Sequence, residues 1–141
     1  MILRTYTPDD FESVRKLFSE TILTVNAADY TKEQLVVWAG LEPRLNGLIL
    51  IAETDGAIVG FGSILSSGVL DLLYVHKDFQ RRGVATALCD ELEKGFPSVK
   101  TYASVTAKPF FERRGYTVVK EQEVERSGVK FKNYEMLMVR H

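Results

Sequence analysis

Leu70-Asp71-Leu72-Leu73-Tyr74-Val75-His76-Lys77-Asp78-Phe79-Gln80-Arg81-Arg82-Gly83-Val84-Ala85-Thr86 reads as a strand ending at Val75-His76, a basic loop with one glycine, and a helix starting at Gly83. Backbone N–H groups in the first turn of a helix have no partner inside the helix and point out of its end. With the positive end of the helix dipole they suit a phosphate or pyrophosphate. Gly83 would let such a ligand approach the backbone, Arg81 and Arg82 add positive charge at the rim, and Ala85 keeps the turn small. Neither G-x-x-x-x-G-K-[ST] nor G-x-G-x-x-G occurs, so the loop is neither a Walker loop nor a dinucleotide fingerprint. Strand–loop–helix junctions of this composition also serve as plain punctuation, and the residues of the stretch alone leave both readings open.

Working upstream, Ser66-Ser67-Gly68 and Asp55-Gly56 mark tight turns, so Leu48–Ala52, Ala57–Leu65 and Val69–Val75 read as an antiparallel meander. The apolar run Leu48–Ala52 suits a strand buried on both faces. Earlier still, Thr31 and Gln34 form a capping box for a helix that carries Leu35 and Trp38 inward and ends near Gly40. Thr7-Pro8-Asp9-Asp10 starts another helix, with Phe11, Val14, Phe18 and Ile22 at helical spacing, after a short strand Ile2–Tyr6.

Downstream, Val84, Ala85, Leu88, Leu92 and Phe96 form the apolar stripe of the loop's helix, which leaves Asp90, Glu91, Glu93 and Lys94 to water, and Gly95-Phe96-Pro97 stops it. Lys100–Val105 is then a strand parallel to Val69–Val75 across that crossover helix. A short helix over Thr106–Arg114 closes at Gly115, and a hairpin around Ser127-Gly128 pairs Tyr116–Arg126 with Val129–Val139. The order is βααβββαβαββ, an α/β fold with a mixed sheet in a single domain over residues 1–141.

Composition narrows the function classes. At 141 residues with 45% hydrophobic and 26% charged residues, the chain can bury a core without staples. A net charge of −1 argues against general nucleic-acid binding. One cysteine, Cys89, fits a reducing compartment, and the early polar turn after Tyr6 leaves no secretory leader expected. No apolar run is long enough to cross a bilayer, and the expectation is a cytoplasmic protein. His76, His141 and Cys89 lack metal-ligand spacing, so no metal is expected.

Leu73 to Ala85 resembles the acyl-CoA signature of the GNAT N-acetyltransferase superfamily, roughly L-Y-V-x-P-x-[YF]-[QR]-x-x-G-[IV]-[GA], with Lys77 at the proline and Ala85 at the second glycine. Phe110-Phe111-Glu112-Arg113-Arg114-Gly115-Tyr116 is similar to the family's second block, F-Y-E-[KR]-x-G-[FY]. The separation of the blocks and the order of elements match over essentially the whole chain, and the small size is similar to the YafP-like group of bacterial members. The resemblance implies a mostly antiparallel sheet of about seven strands, splayed between the fourth and fifth and flanked by about four helices. It implies acetyl-CoA as co-substrate, with no metal, and transfer to a primary amine of a small molecule. A peptide acetyltransferase and a non-catalytic acyl-CoA-binding module are the alternatives. Apolar edge strands in the last hairpin are compatible with a homodimer.

Carried over residue by residue, the resemblance implies that Leu73, Tyr74 and Val75 lie along the pantetheine arm, as in strand addition. Arg81, Arg82, Gly83, Val84, Ala85 and Thr86 would hold the pyrophosphate. Ser104, Phe110 and Phe111 would line the thioester and arm, and Arg114 is either a phosphate ligand or a solvated charge. A backbone N–H near Tyr74 would stabilise the oxyanion. Phe111 stands where the family often has its tyrosine acid, and Ser104 where it often has asparagine, so the usual acid is missing. Tyr134 is the favoured substitute, ahead of Tyr102, Tyr74 and Tyr116. The base candidates are Asp71, read as a lone carboxylate inside an apolar strand, and His76 at the strand end, with Glu53 acting through water as a third. Tyr30, Trp38, Phe131 and Asn133 are the expected lining of the acceptor side.

Overall fold

The computed structural model describes residues 1–140; His141 lies outside the described residues. The elements run β1 (Ile2–Thr5), a 3-10 turn (Pro8–Asp10), α1 (Phe11–Thr24), α2 (Lys32–Ala39), β2 (Leu48–Thr54), β3 (Ala57–Ile64), β4 (Val69–Val75), a second 3-10 turn (Lys77–Phe79), α3 (Val84–Leu92), β5 (Ser98–Ser104), α4 (Lys108–Arg113), β6 (Thr117–Arg126) and β7 (Val129–Val139). All strands join one sheet in the order β1-β2-β3-β4-β5-β7-β6. Only β4 and β5 are parallel, as a crossover through α3 requires.

The local signals behave as their chemistry demands. Thr31 accepts from the Gln34 N–H while the Gln34 side chain accepts from the Thr31 N–H, which fixes the start of α2. Asp10 at the head of α1 takes a bidentate pair from Arg4 at 2.8 and 2.9 Å, and Arg4 also reaches Glu53, so β1, β2 and α1 are tied at one corner. This occupies Glu53 at that corner, away from the basic loop.

The sheet separates two apolar layers. On one side Val14, Leu17, Phe18 and Ile22 of α1 and Leu35 of α2 cover Ile51 and Phe61. On the other, Val84, Leu88, Cys89 and Leu92 of α3 and Phe111 of α4 cover Ala52, Val59, Leu70, Val75, Val99 and Met136. Buried positions on both faces of β2 follow from this double cover. Helix α3 sits close to the sheet because β3 offers glycine: a Cβ on Gly62 would lie 2.9 Å from Leu92 Cδ1 and 3.1 Å from the Leu72 carbonyl oxygen.

One expectation about α3 fails. Glu93 does not face water; it is 1% exposed and accepts from Arg114 Nε and Nη2, the Tyr116 hydroxyl and Arg140 Nη2. A buried carboxylate persists only when paired and hydrogen-bonded, and these partners come from residues 21 to 47 positions away. The same contacts settle Arg114. Its guanidinium bonds Glu93 and Asp90 through Nε and Nη2 and is 14% exposed, so it is not a solvated charge.

Candidate active site

The site begins where the sheet comes apart. Val69 pairs with Lys100 and Leu70 with Thr101, and beyond these pairs β4 and β5 are no longer bonded. The Leu70 carbonyl, the last acceptor of this ladder, also accepts from the buried Thr101 hydroxyl at 2.8 Å. This satisfies the last backbone group before the gap.

A β-bulge lies at the same point. Leu70 opposes Ile64 and Leu72 opposes Ser63, so Asp71 is the extra residue in β4. Leu70 consequently packs on the α3 side and Leu72 on the α1 side, although residues two apart in a regular strand share a face. The bulge carries Asp71 out of the apolar row, so the expected buried acid is instead exposed on the cleft wall. Although water reaches it, crowding by protein atoms pushes its carboxyl above the ordinary value, with Arg44 pulling the other way.

Past the bulge, backbone alternation decides which groups face the gap. The His76 N–H donates to the Val59 carbonyl at 2.8 Å, so Tyr74 and Leu72 turn their groups toward β3 and Leu73 and Val75 turn theirs toward the gap. The free N–H groups therefore belong to the two neighbours of Tyr74. Gln80 Nε2 donates to the Val75 carbonyl at 2.6 Å and folds the basic loop back onto the strand end. Sequence reasoning gave Gln80 no role, though it stands at the [QR] position of the signature.

In the loop, Arg81 has φ 60° and Gly83 φ 80°. Left-handed residues on either side of Arg82 turn successive amides toward one side, the geometry of an anion-binding nest. For Arg81 this backbone is sparsely populated. Among the described residues, the N–H groups of Arg81 through Thr86 have no hydrogen-bond partner, and the first α3 amide to donate is Ala87, to the Gly83 carbonyl. A Cβ on Gly83 would meet nothing within 4 Å, so the left-handed backbone, rather than crowding by the protein, is what asks for glycine there.

Gap and loop open into one cleft of about 1210 Å³. Leu73, Tyr74, Val75, Arg81, Gly83, Val84, Ala85, Thr86, Ser104, Phe110 and Phe111 line it, as do Tyr30, Trp38, Phe131 and Asn133 on the opposite side. Besides Glu53, three side chains named from the sequence stand elsewhere. The Arg82 side chain lies over the Phe79 ring, 5.3 Å from its centroid, while its backbone N–H remains among the free amides of the loop. His76 caps the following 3-10 turn, its Nδ1 accepting from the Asp78 N–H at 3.0 Å, so that nitrogen is engaged outside the cleft. Tyr134 faces the α4 side, with Lys108 Nζ 5.1 Å from its ring centroid, because Asn133 beside it in the strand takes the cleft face. Among the other tyrosines, Tyr116 is buried and spent on Glu93, while Tyr74 and Tyr102 line the cleft.

The far end of the cleft is aromatic. Tyr30, Trp38 and Phe131 stand with ring centroids 5.2 to 6.4 Å apart. The Tyr30 hydroxyl accepts from the Val105 N–H at 2.8 Å and donates to the Lys132 carbonyl at 3.2 Å, bridging β7 and the residue that follows β5. Gln34 Nε2 takes the Lys130 carbonyl at 2.8 Å, so α2 and the turn before it succeed β5 as the neighbour of β7. Burial pushes the Tyr74 hydroxyl up, the neighbouring Trp38 indole pulling the other way and the charge of Asp71 adding to the rise.

Sequence comparison matches residues 26–138 to the family described as the acetyltransferase (GNAT) domain. The chain is 34% identical over 140 residues to the N-acetyltransferase YafP of Escherichia coli K12, covering 95% of this chain and 93% of that protein. A GCN5-related N-acetyltransferase from Rhodopseudomonas palustris superposes with a TM-score of 0.90 at 32% identity, over 98% of this chain and 94% of that one. PaiA N-acetyltransferase from Thermoplasma acidophilum, solved in complex with coenzyme A, shares the fold with a TM-score of 0.74 at 18% identity, over 98% of both chains.

Proposed function

Since the chain belongs to the GNAT acetyltransferase family, we propose that it moves the acetyl group of acetyl-CoA to a primary amine of a small molecule by direct attack. The observation that carries this reading is the run of unpartnered amides from Arg81 to Thr86, set at the mouth of a gap between two parallel strands. The donor set fits a pyrophosphate: backbone N–H groups in a nest, a helix start behind them and Arg81 on the wall. The free edge of β4 fits a slender amide-bearing arm, which would hydrogen-bond Leu73 and Val75 as an added strand.

When bound, acetyl-CoA supplies a thioester carbonyl carbon; the amine nitrogen bonds to it, the C–S bond breaks and the sulfur leaves as thiolate. A free N–H of Leu73 or Val75 supports the carbonyl oxygen as it gains charge. Asp71 takes the proton that the amine must lose, and its upward-shifted carboxyl is a better base than an ordinary aspartate. Phe111 has no proton to give, and none is required of it, since a thiol with a pKa of about 8.5 leaves tolerably as thiolate near neutral pH. The buried thiol of Cys89 and the lack, among the described residues, of a helix able to cross a membrane are consistent with work in the cytoplasm.

Calorimetric titration with acetyl-CoA, using Gly83→Glu as control, tests the reading. Micromolar binding lost in the variant, followed by thiol release with an amine, is the expected result. Absence of binding by folded wild-type protein would overturn it. Binding with no thiol release across a broad amine panel would leave an acyl-CoA-binding module instead.

A further inference from the structure

The acceptor end of the cleft carries more information than the presence of an amine. Its wall holds a packed cluster of three aromatic rings, from Tyr30 in the turn before α2, Trp38 in α2 and Phe131 in β7, in edge-to-face or tilted contact with centroids 5.2 to 6.4 Å apart. Among the described residues that line the cleft, Asp71 is the only carboxylate, whereas Lys77, Arg81, Arg113, Arg114, Arg126 and Lys132 are basic. Asn133 adds a polar feature: its Oδ1 is buried and has no hydrogen-bond partner, although the residue stands on the cleft face of β7 beside Phe131. An unpartnered buried acceptor is costly, and a turn of the Asn133 side chain would bring it to a ligand N–H in the cleft.

Resting on the acetyltransferase reading, we propose that the acceptor is a primary amine carrying a single positive charge on a flat apolar body, its ammonium held at Asp71 and its ring packed against the cluster of Tyr30, Trp38 and Phe131. Aromatic faces attract both an apolar ring and a cation passing over them. The two halves of the site are joined through Tyr74, whose hydroxyl feels the Asp71 charge and neighbours the Trp38 indole. One carboxylate can pair one ammonium. A polyamine or a lysine-rich peptide would bring further ammonium groups for which the wall holds no second carboxylate, and Arg126 and Arg113 would repel them.

Trp38 is the single tryptophan of the chain, so the proposed pocket contains its own fluorophore. With the full chain saturated with CoA, phenethylamine should shift or quench the Trp38 emission saturably. Spermidine and a lysine-rich peptide should bind at least tenfold more weakly, and n-hexylamine, with the same charge and no ring, should lie between. Asp71→Asn should weaken phenethylamine at least tenfold while CoA titrates as in the wild type, which also shows that the variant is folded. Phe131→Ala should reduce the preference for phenethylamine over n-hexylamine. Failure of CoA to bind would overturn the acetyltransferase reading itself. Normal CoA binding with spermidine or the peptide preferred, with no response to phenethylamine, or with Asp71→Asn indistinguishable from wild type, would overturn the acceptor assignment alone.

Discussion

At the scale of single residues, position along the chain says what a side chain is and tertiary register says what it does. Asp10 illustrates a role that can be measured. The Arg4 guanidinium holds its carboxyl down from 3.8 to about 2, with the Thr7 backbone N–H helping and burial opposing. A carboxyl more acidic in the folded state contributes stability in full above its unfolded value, and loses it as pH falls through the folded value. The contribution should therefore be intact above about pH 4 and vanish toward pH 2. Denaturant midpoints measured across that window should fall with a slope that Asp10→Asn reduces; an unchanged slope would refute the role. Other residues were less legible. Asn133 and Tyr134 were both expected to reach the cleft, yet neighbours in a strand face opposite sides, so only one of them could. The face chosen depends on which residue β5 places opposite, and that register is absent from the sequence of β7 alone. The partners of Glu93 were hidden for the same reason, since Arg114, Tyr116 and Arg140 meet it only once the sheet is assembled.

At the scale of elements, nearly everything local could be read. The Thr31–Gln34 box placed the start of α2, whereas Thr7 and Pro8 start a 3-10 turn that leads into α1 only at Phe11; tight turns gave the β2–β3–β4 meander, and the apolar stripe gave α3. The splay of β4 from β5 came only from family resemblance, because no periodicity encodes a missing rung. At its edge stands Thr101, a polar residue 3% exposed in a strand, whose hydroxyl gives the Leu70 carbonyl a second donor. Thr101→Val keeps the shape and removes that donor, leaving the Leu70 carbonyl with its ladder bond alone. The expected loss is about 0.5–1.5 kcal/mol of unfolding free energy, read from urea titrations. A loss below the error of the titration would mean that the ladder bond alone satisfies this carbonyl.

At the scale of the whole molecule, the layer of α3 and α4 seals the chain's one thiol. Cys89 is fully buried, and burial pushes its thiol up to about 12. A disulfide reagent at pH 8 should therefore label the native protein only as fast as it opens, and label one thiol per chain at once in denaturant. Rapid labelling under native conditions would contradict this burial. A thiol-release assay can accordingly be run with little background from the protein. Domain-scale order was legible because each element announces itself locally, whereas the cleft is a property of pairings that do not form.

Those unformed pairings also decide how the two halves of the sheet are joined. The strands β1 to β4 form one continuous hydrogen-bonded plate and β5 to β7 another, and as strands the two meet only at Val69–Lys100 and Leu70–Thr101. Beyond that short seam the plates are joined by the apolar layer under α3, which holds Ala52, Val59 and Val75 of one and Val99 and Met136 of the other. The Tyr30 and Gln34 bonds to the Lys132 and Lys130 carbonyls act as tethers at the opposite rim. A molecule bonded to both open strand edges would therefore complete, from outside the chain, the span of the sheet that the chain itself leaves unbridged.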